Sequence, residues 1–435
     1  MASSIITGII GIIVLIVLIL LGFHVTISMF LVGVFGIIVM VGKGAAIGLV
    51  RSVFFNSACN YTVTVMPLFM LMGQFIFHAG VSAQLYKACH TWLGRLPGGL
   101  AVSTIAACGA FAAICGASSA TCATFGTVAL PEMTKKYGYD PGYSCGSIVA
   151  GGTLGILIPP STAFIWYGVL TGQSISKLFA AGFGAGILLM LCYMVVAVVM
   201  AKMHPEWAPT VSGTTWREKL VSLIGVILVL VIFLVVIGGI FLGIFTPNEG
   251  GAIGAFSGLL CLIFSGNFTF KTLLKCLRST IEAVGMLILI LTCSSIFGSF
   301  LAMTRIPSTL AAFVQTQSVS PYLLLLLIIG VYLVLGMIMD ALSMVLLTIP
   351  IFYPIMTAAG FDPIWYGVIT VICMEMGQIT PPVGMNLFIM RGMAPEIPMS
   401  SIVSKSLPFV CAIFGAILIL VLFPGVATFL PGLFY

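Results

Sequence analysis

Charge is scarce in this chain. Only 6% of its 435 residues are Asp, Glu, Lys or Arg, against 61% hydrophobic, and the mean hydropathy is +1.28. A soluble domain carries about 25% charged residues, so a water-covered globular surface is excluded and lipid is the solvent to reason about. The net charge of +6 is spread over many short loops. That excludes nucleic acid as a partner and leaves the basic residues as topology signals in a lipid bilayer. The twelve cysteines contain no C-x-x-C, and the four histidines, at 24, 78, 90 and 204, lack zinc-site spacing. Cys108, Cys115 and Cys122 are read as small apolar packing residues, with a metal or disulfide role as the alternative. No G-x-S-x-G elbow, Walker A sequence or H-E-x-x-H is present, and Asp340 has no evident second aspartate, so no catalytic set and no enzyme is expected. No Lys or Arg precedes the first apolar run, Ile5 to Leu21. The charged n-region of a signal peptide is therefore missing, and the run is read as a retained helix.

What is present is a passage that occurs twice, 222 residues apart. The first copy holds Tyr139-Asp140-Pro141 and then Gly155-Ile156-Leu157-Ile158-Pro159-Pro160-Ser161. The second holds Phe361-Asp362-Pro363 and then Gly377-Gln378-Ile379-Thr380-Pro381-Pro382-Val383. Tyr143 pairs with Trp365. Both Pro-Pro pairs interrupt strongly apolar stretches, and two broken membrane helices in matching halves point to a transporter's binding site. A span needs about 20 apolar residues. The expected spans are 4–22, 25–41, 61–79, 142–171 (broken), 178–202, 219–241, 249–265, 282–302, 363–391 (broken) and 403–425. Segments 98–137 and 321–357 are apolar with polar or Gly-rich interruptions at 116–121 and 340–343; each reads as a re-entrant hairpin. Amphipathic segments at 43–57, 82–95, 269–281 and 305–318 are expected along the interface.

With the N-terminus outside, twelve Lys and Arg fall inside and four outside, the bias the positive-inside rule expects. Each half then has five crossings plus one hairpin. Five is odd, so the second copy is inverted relative to the first. The expected fold class is an all-α polytopic membrane protein of two inverted repeats. The first repeat is 1–202, with scaffold helices 4–79, a transport part 98–171 and a closing helix 178–202. A cytoplasmic linker, 203–218, leads to the second repeat, 219–435. That repeat has scaffold helices 219–302, a transport part 321–391 and a closing helix 403–425.

Proline supplies no N–H and disrupts the preceding turn, so both breaks free carbonyl oxygens just before them. A helix C-terminus with free carbonyls suits a cation, and the following half-helix offers N–H groups to an anion. A plain proline kink is the alternative; the matched pair favours function. The hairpin interruptions are a second constellation. Gly116-Ala117-Ser118-Ser119-Ala120-Thr121 is rich in hydroxyls, and the 222 offset pairs Ser118 with Asp340 in Asp340-Ala341-Leu342-Ser343. A carboxylate near the membrane centre costs about 2.5–3.5 kcal/mol on insertion scales and needs a partner, for which a bound hard cation is the obvious choice. A structural Asp340 satisfied by backbone donors, and helix packing by Ser118, are the alternatives. Glu375 is a weaker candidate as a proton or sodium ligand, or a group facing internal water. Asp140 and Asp362, each before a proline, read as helix N-caps. A substrate or partner contact at Arg305 is conceivable.

These motifs, together with Leu242-Gly243-Ile244-Phe245-Thr246-Pro247-Asn248-Glu249-Gly250-Gly251-Ala252, resemble the large membrane subunit of tripartite ATP-independent periplasmic (TRAP) transporters over essentially the whole chain. The resemblance implies an elevator-type, sodium-coupled secondary transporter in the bacterial inner membrane. It also implies a separate small four-helix membrane subunit, a periplasmic substrate-binding protein and a small organic anion as substrate; no cofactor other than sodium is implied. On this chain it places one sodium ion at Gly116, Ser118, Ser119, Gly155 and Ile158, and another at Asp340, Gly377 and Thr380. Substrate would lie between them, near Ser161, Thr121, Ser343 and Pro382. A stand-alone sodium-coupled dicarboxylate symporter or sodium/proton antiporter of the same superfamily is the alternative.

Overall fold

The computed structural model describes residues 2–209, 215–316 and 320–435. Part of the expected linker (210–214) and the end of the expected segment 305–318 (317–319) lie outside the described residues. Within them every regular element is helical. The first half contains α1 (Ala2–Leu20), α2 (Val25–Val41), α3 (Lys43–Ala58), α4 (Val65–His78), α5 (Val81–Leu93), α6 (Gly99–Cys115), α7 (Ser118–Pro131), α8 (Pro141–Leu157), α9 (Thr162–Thr171) and α10 (Ile175–Met203). The second half contains α11 (Trp216–Ile224), α12 (Ile227–Phe241), α13 (Pro247–Phe264), α14 (Phe270–Thr304), α15 (Ile306–Thr316), α16 (Pro321–Gly336), α17 (Ala341–Ala358), α18 (Pro363–Gln378), α19 (Met385–Met393), α20 (Met399–Leu422) and α21 (Gly425–Phe434). Among the described residues six helical stretches, one of them α8 with α9, are long and apolar enough to cross a membrane, and the pair α11–α12, bent by 58°, makes a seventh if it is one span.

Helix starts follow local chemistry. Asp140 and Asp362 each precede proline and accept the N–H of Tyr143 and Trp365 at 2.7 and 2.8 Å, as N-caps do. Thr246 and Glu249 form a reciprocal capping box at the start of α13. The first hairpin turns where expected, at Gly116, whose φ of +66° a side chain would resist; the second turns at Met337–Asp340, just before the expected 340–343, because Asp340 caps α17 and residues 341–343 are its first turn. Three elements differ from expectation. The expected span 219–241 is split into α11 and α12, bent by 58°. Segments 269–281 and 282–302 form one 35-residue helix, α14, because nothing at the junction caps or breaks it; in the first half Asn60 caps a new turn at the matching place. The residues after the closing helix form α21, which packs on α10.

Apolar side chains cover the outside as well as the core. Ile6, Leu20, Val39, Leu234, Leu326 and Leu418 are all more than half exposed, which is stable only against lipid. The broken helix α8–α9 is at the centre, wholly enclosed. Two apolar clusters divide the core: a small one joins α1, α2 and α3 to the second part of α14 and to Met339 and Leu347 of the second hairpin, and a large one takes in most of the other helices with the first part of α14. The packing is cross-matched. α2 lies on α14, while α13, its counterpart 222 residues on, lies on α4; α7 packs on α19, while α17 packs on α9.

Tyr143 and Trp365 occupy matching places. The Tyr143 hydroxyl donates to Ala197 O at 2.8 Å and the Trp365 indole to Leu420 O at 2.9 Å. Each tethers a pre-break helix to the closing helix that follows. Tyr143→Phe and Trp365→Phe should each lower stability by about 1–2 kcal/mol, read as a lower thermal midpoint of the purified protein in detergent. The double variant should show the sum, since the two sites share no partner.

Candidate ion and substrate site

The first break is assembled from α8, α9 and the tip of the first hairpin. Ile158 ends α8, and Ser161 caps α9. The Ser161 hydroxyl donates to Ile156 O and accepts from the Phe164 N–H at 3.4 Å, so it is fully engaged within the break. Thr162 ties the hairpin down: its hydroxyl and its N–H both donate to Gly116 O, at 3.0 and 3.5 Å. Gly155 is required by closeness, since a Cβ there would meet Ala117 O and Thr121 Oγ1 at 2.5 Å. Gly116, Gly155 and the 158–162 turn are thus brought together. Ser119 faces outward and is exposed.

The second break repeats this with different groups. Asp340 is half-buried and caps α17 through the Ser343 N–H at 3.1 Å. None of the ion pairs among the described residues involves it. Gly336, four residues earlier, meets Gly377 backbone to backbone: a Cβ on either would lie 2.5–2.7 Å from the other's Cα. The Thr380 hydroxyl donates to Met376 O at 2.5 Å. Ser343 is buried with an unpartnered hydroxyl. The two breaks differ in access. Pro159 and Pro160 are buried, whereas Pro382 and Val383 are exposed.

The structure also joins the halves through residues that spacing alone does not link. Ser118 Oγ donates to Glu375 Oε2 of α18 at 2.9 Å and accepts from Asn386 Nδ2 of α19 at 2.9 Å. Glu375 and Asn386 are completely buried. Asn386 was missed by sequence reasoning, although a lone amide in an apolar half-helix after a break is a signal in itself.

A cavity of about 480 Å³ opens between α4 and the first hairpin, lined by Gln74, Ala117, Ala120, Thr124, Thr127 and Met393 among others. Of the four residues expected at the substrate, Ser161, Thr121 and Ser343 are buried and Pro382 is exposed; none lines this cavity. A larger cleft of about 990 Å³ separates α5 from α11, with Lys87, Arg95 and Arg217 on its walls. Burial pushes the His90 imidazole there below its ordinary range.

Two broken helices, each meeting a hairpin tip and surrounded by lipid-facing helices, are an arrangement that membrane transporters use at their binding sites. Solved transporters have this fold. The chain matches the Alcanivorax borkumensis YdaH transporter with a TM-score of 0.65 at 16% identity, covering 88% of this chain and 89% of that one. For Neisseria gonorrhoeae MtrF, titled as one of a class of antimetabolite efflux pumps, the TM-score is 0.54 at 12% identity, covering 87% and 84%. The family profile described as "Tripartite ATP-independent periplasmic transporter, DctM component" matches residues 12–426. The C4-dicarboxylate TRAP transporter large permease protein DctM of Pseudomonas aeruginosa is 34% identical over 379 residues, 87% of this chain and 88% of its own. The sialic acid TRAP transporter large permease protein SiaM of Vibrio cholerae is 30% identical, covering 86% and 87%. The ectoine TRAP transporter large permease protein TeaC of Halomonas elongata is 26% identical, covering 95% and 96%. The chain belongs to the DctM component family of tripartite ATP-independent periplasmic transporters.

The glycine contact at the second break yields a direct check. Gly336→Ala or Gly377→Ala should force α16 from α18 and cost about 1–3 kcal/mol as overpacking, seen as a lower thermal midpoint. Gly330→Ala, on the same helix with open space around it, should be neutral or stabilising by up to about 1 kcal/mol.

Proposed function

We propose that this chain is the large permease through which a small organic acid anion crosses the bacterial inner membrane together with sodium. The anion is a carboxylate, sugar acid or sulfonate, received from a periplasmic binding protein, and a small four-helix subunit braces the permease. The relatives' names support an anionic or zwitterionic organic substrate: C4-dicarboxylate, isethionate, sialic acid and ectoine. The observation that carries the reading is the pairing of each hairpin tip with a helix break at matched positions, each seated by a glycine contact at Gly155 or Gly377.

The repeats are 1–202 and 219–435, inverted about the enclosed breaks, with 203–218 as the cytoplasmic linker. The cross-matched packing of α2 with α14 and α13 with α4 supports that symmetry. In this orientation the N-terminus is periplasmic, and the first hairpin enters from the cytoplasm. The cavity between α4 and that hairpin then opens inward, toward Thr127 and Met393.

The residues fit sodium. Asp340 supplies a half-buried carboxylate without a basic partner among the described residues, and Thr380 a hydroxyl oxygen, a hard-donor set; at the first tip Ser118 is bonded to Glu375 and Asn386 and Ser119 is exposed, which leaves backbone carbonyls as the donors there. Gly116, Gly155, Ile158 and Gly377 bring backbone close to those tips. Asp340 loses a neutralising charge whenever its site is empty, which favours an open hairpin; filling it favours the closed one. Coupling follows because ion and substrate then bias the same two-state element. The hairpins and broken helices, 98–171 and 321–391, move as one body against the scaffold 4–79 and 219–302.

Asp340→Ala should abolish sodium-driven uptake in proteoliposomes containing both membrane subunits and the binding protein, while the variant remains monodisperse. Full sodium-dependent uptake by this variant would overturn the assignment of the second ion site. Uptake that persists without any binding protein would instead favour a stand-alone symporter.

A further inference from the structure

The Ser118–Glu375–Asn386 cluster is not explained by the two ion sites above. Glu375 is in the last turn of α18 and is completely buried. One of its oxygens accepts from Ser118, and the other, Oε1, has no partner. Asn386 is completely buried in the first turn of α19. Its amide N–H is given to Ser118, and its Oδ1 likewise has no partner. Ser118 is itself 95% buried. A hydroxyl has one proton and two lone pairs, so after donating to Glu375 and accepting from Asn386, Ser118 Oγ keeps one lone pair. Three oxygens joined by two hydrogen bonds therefore each have electron density to offer, and no donor meets it.

Charge points the same way. The ion pairs among the described residues are Lys136–Glu132, His204–Glu206 and Arg278–Glu282, all with solvent-exposed members. None neutralises Glu375. The ionisable groups turned toward the cluster are Tyr193 of α10, whose hydroxyl is paired with Thr153 at 2.8 Å, and Cys122 of α7, whose thiol donates to Asn386 O at 3.7 Å. Neither is a cation. An uncompensated buried polar oxygen is costly and a buried carboxylate more so. The α18 C-terminus adds negative potential at the same place.

We propose that Glu375 Oε1, Asn386 Oδ1 and Ser118 Oγ form a third monovalent-cation site, with sodium as occupant, at the joint between the first hairpin and the second broken helix. A carboxylate, an amide carbonyl and a hydroxyl are hard oxygen donors suited to such an ion. The site takes one ligand from the first half and two from the second, one on each side of the Pro381-Pro382 break. Its occupancy therefore clamps the first hairpin to the second break. This deepens the sodium-coupled reading and rests on it, but it does not depend on the Asp340 site.

The test is equilibrium binding of radiolabelled sodium to the purified permease at fixed pH, alongside transport. Glu375→Gln keeps the shape and the hydrogen bond to Ser118 and removes the charge. It should lose one sodium per chain, or weaken one class of site by at least about tenfold, while Asp340→Ala retains that class. Asn386→Ala, which leaves the carboxylate, should weaken the same class by about tenfold. If Glu375→Gln binds sodium with unchanged affinity and stoichiometry, the carboxyl is held neutral and the proposal falls, with the Asp340 site untouched. If the wild-type permease binds no sodium at all, the broader sodium reading fails with it. Retained binding at the remaining sites reports that each variant is folded.

Discussion

The structure depends on one constraint: a peptide backbone broken at bilayer depth has to be satisfied by protein, since lipid offers no hydrogen bonds. Each proline pair removes N–H groups from a helix that has nothing but side chains around it. At the first break the repair comes from two neighbouring hydroxyls. Ser161 bridges Ile156 O and the Phe164 N–H, and Thr162 holds the hairpin tip through Gly116 O. For the tip to come that close, residues 116 and 155 must lack a Cβ. The hairpins are thus the lids that make broken helices tolerable in lipid.

Symmetry of architecture is combined with asymmetry of charge. The 222 offset pairs Ser118 with Asp340 and Thr153 with Glu375, so both acids fall in the second half and both hydroxyls in the first. Thr153 satisfies itself against Tyr193, while Glu375 reaches across to Ser118. The first break is sealed and the second is open at Pro382 and Val383. One half is therefore the better-packed framework. The other carries the negative charge and the access, which is where ion-dependent rearrangement has least packing to undo.

Much of this was legible in the sequence, because it follows from local rules. Span 25–41 agrees with α2 to the residue. Asp140 and Asp362 cap their helices as the Asp-Pro pairs imply, and the Pro-Pro breaks and Gly-rich tips fall where composition places them. The continuity of α14 and the 58° bend between α11 and α12 were not legible, since they turn on caps and packing rather than hydropathy. Nor was the Ser118–Glu375–Asn386 join. Its members are 257 and 268 residues apart, and a single polar residue in an apolar run declares that it needs a partner without saying which.

The cross-half bonds also bear on how the molecule would move. The first hairpin is tied to α18 and α19, and the second hairpin packs on α9. Neither hairpin can swing far without taking both broken helices along. The looser contact lies elsewhere, at the cavity between α4 and the first hairpin. Its walls pair the small side chains of Ala117, Ala120, Ala123 and Thr124 on the hairpin with the larger Met70, Gln74 and Phe77 on α4. The small apolar cluster of α1, α2, α3 and α14 also takes in Met339 and Leu347, so the second hairpin stays packed on that frame. The ties between the two broken helices therefore suit the displacement of one body, as proposed above, better than the gating of either hairpin alone. Under the function proposed above, cations at the hairpin tips would fix the joints of that body before it moves.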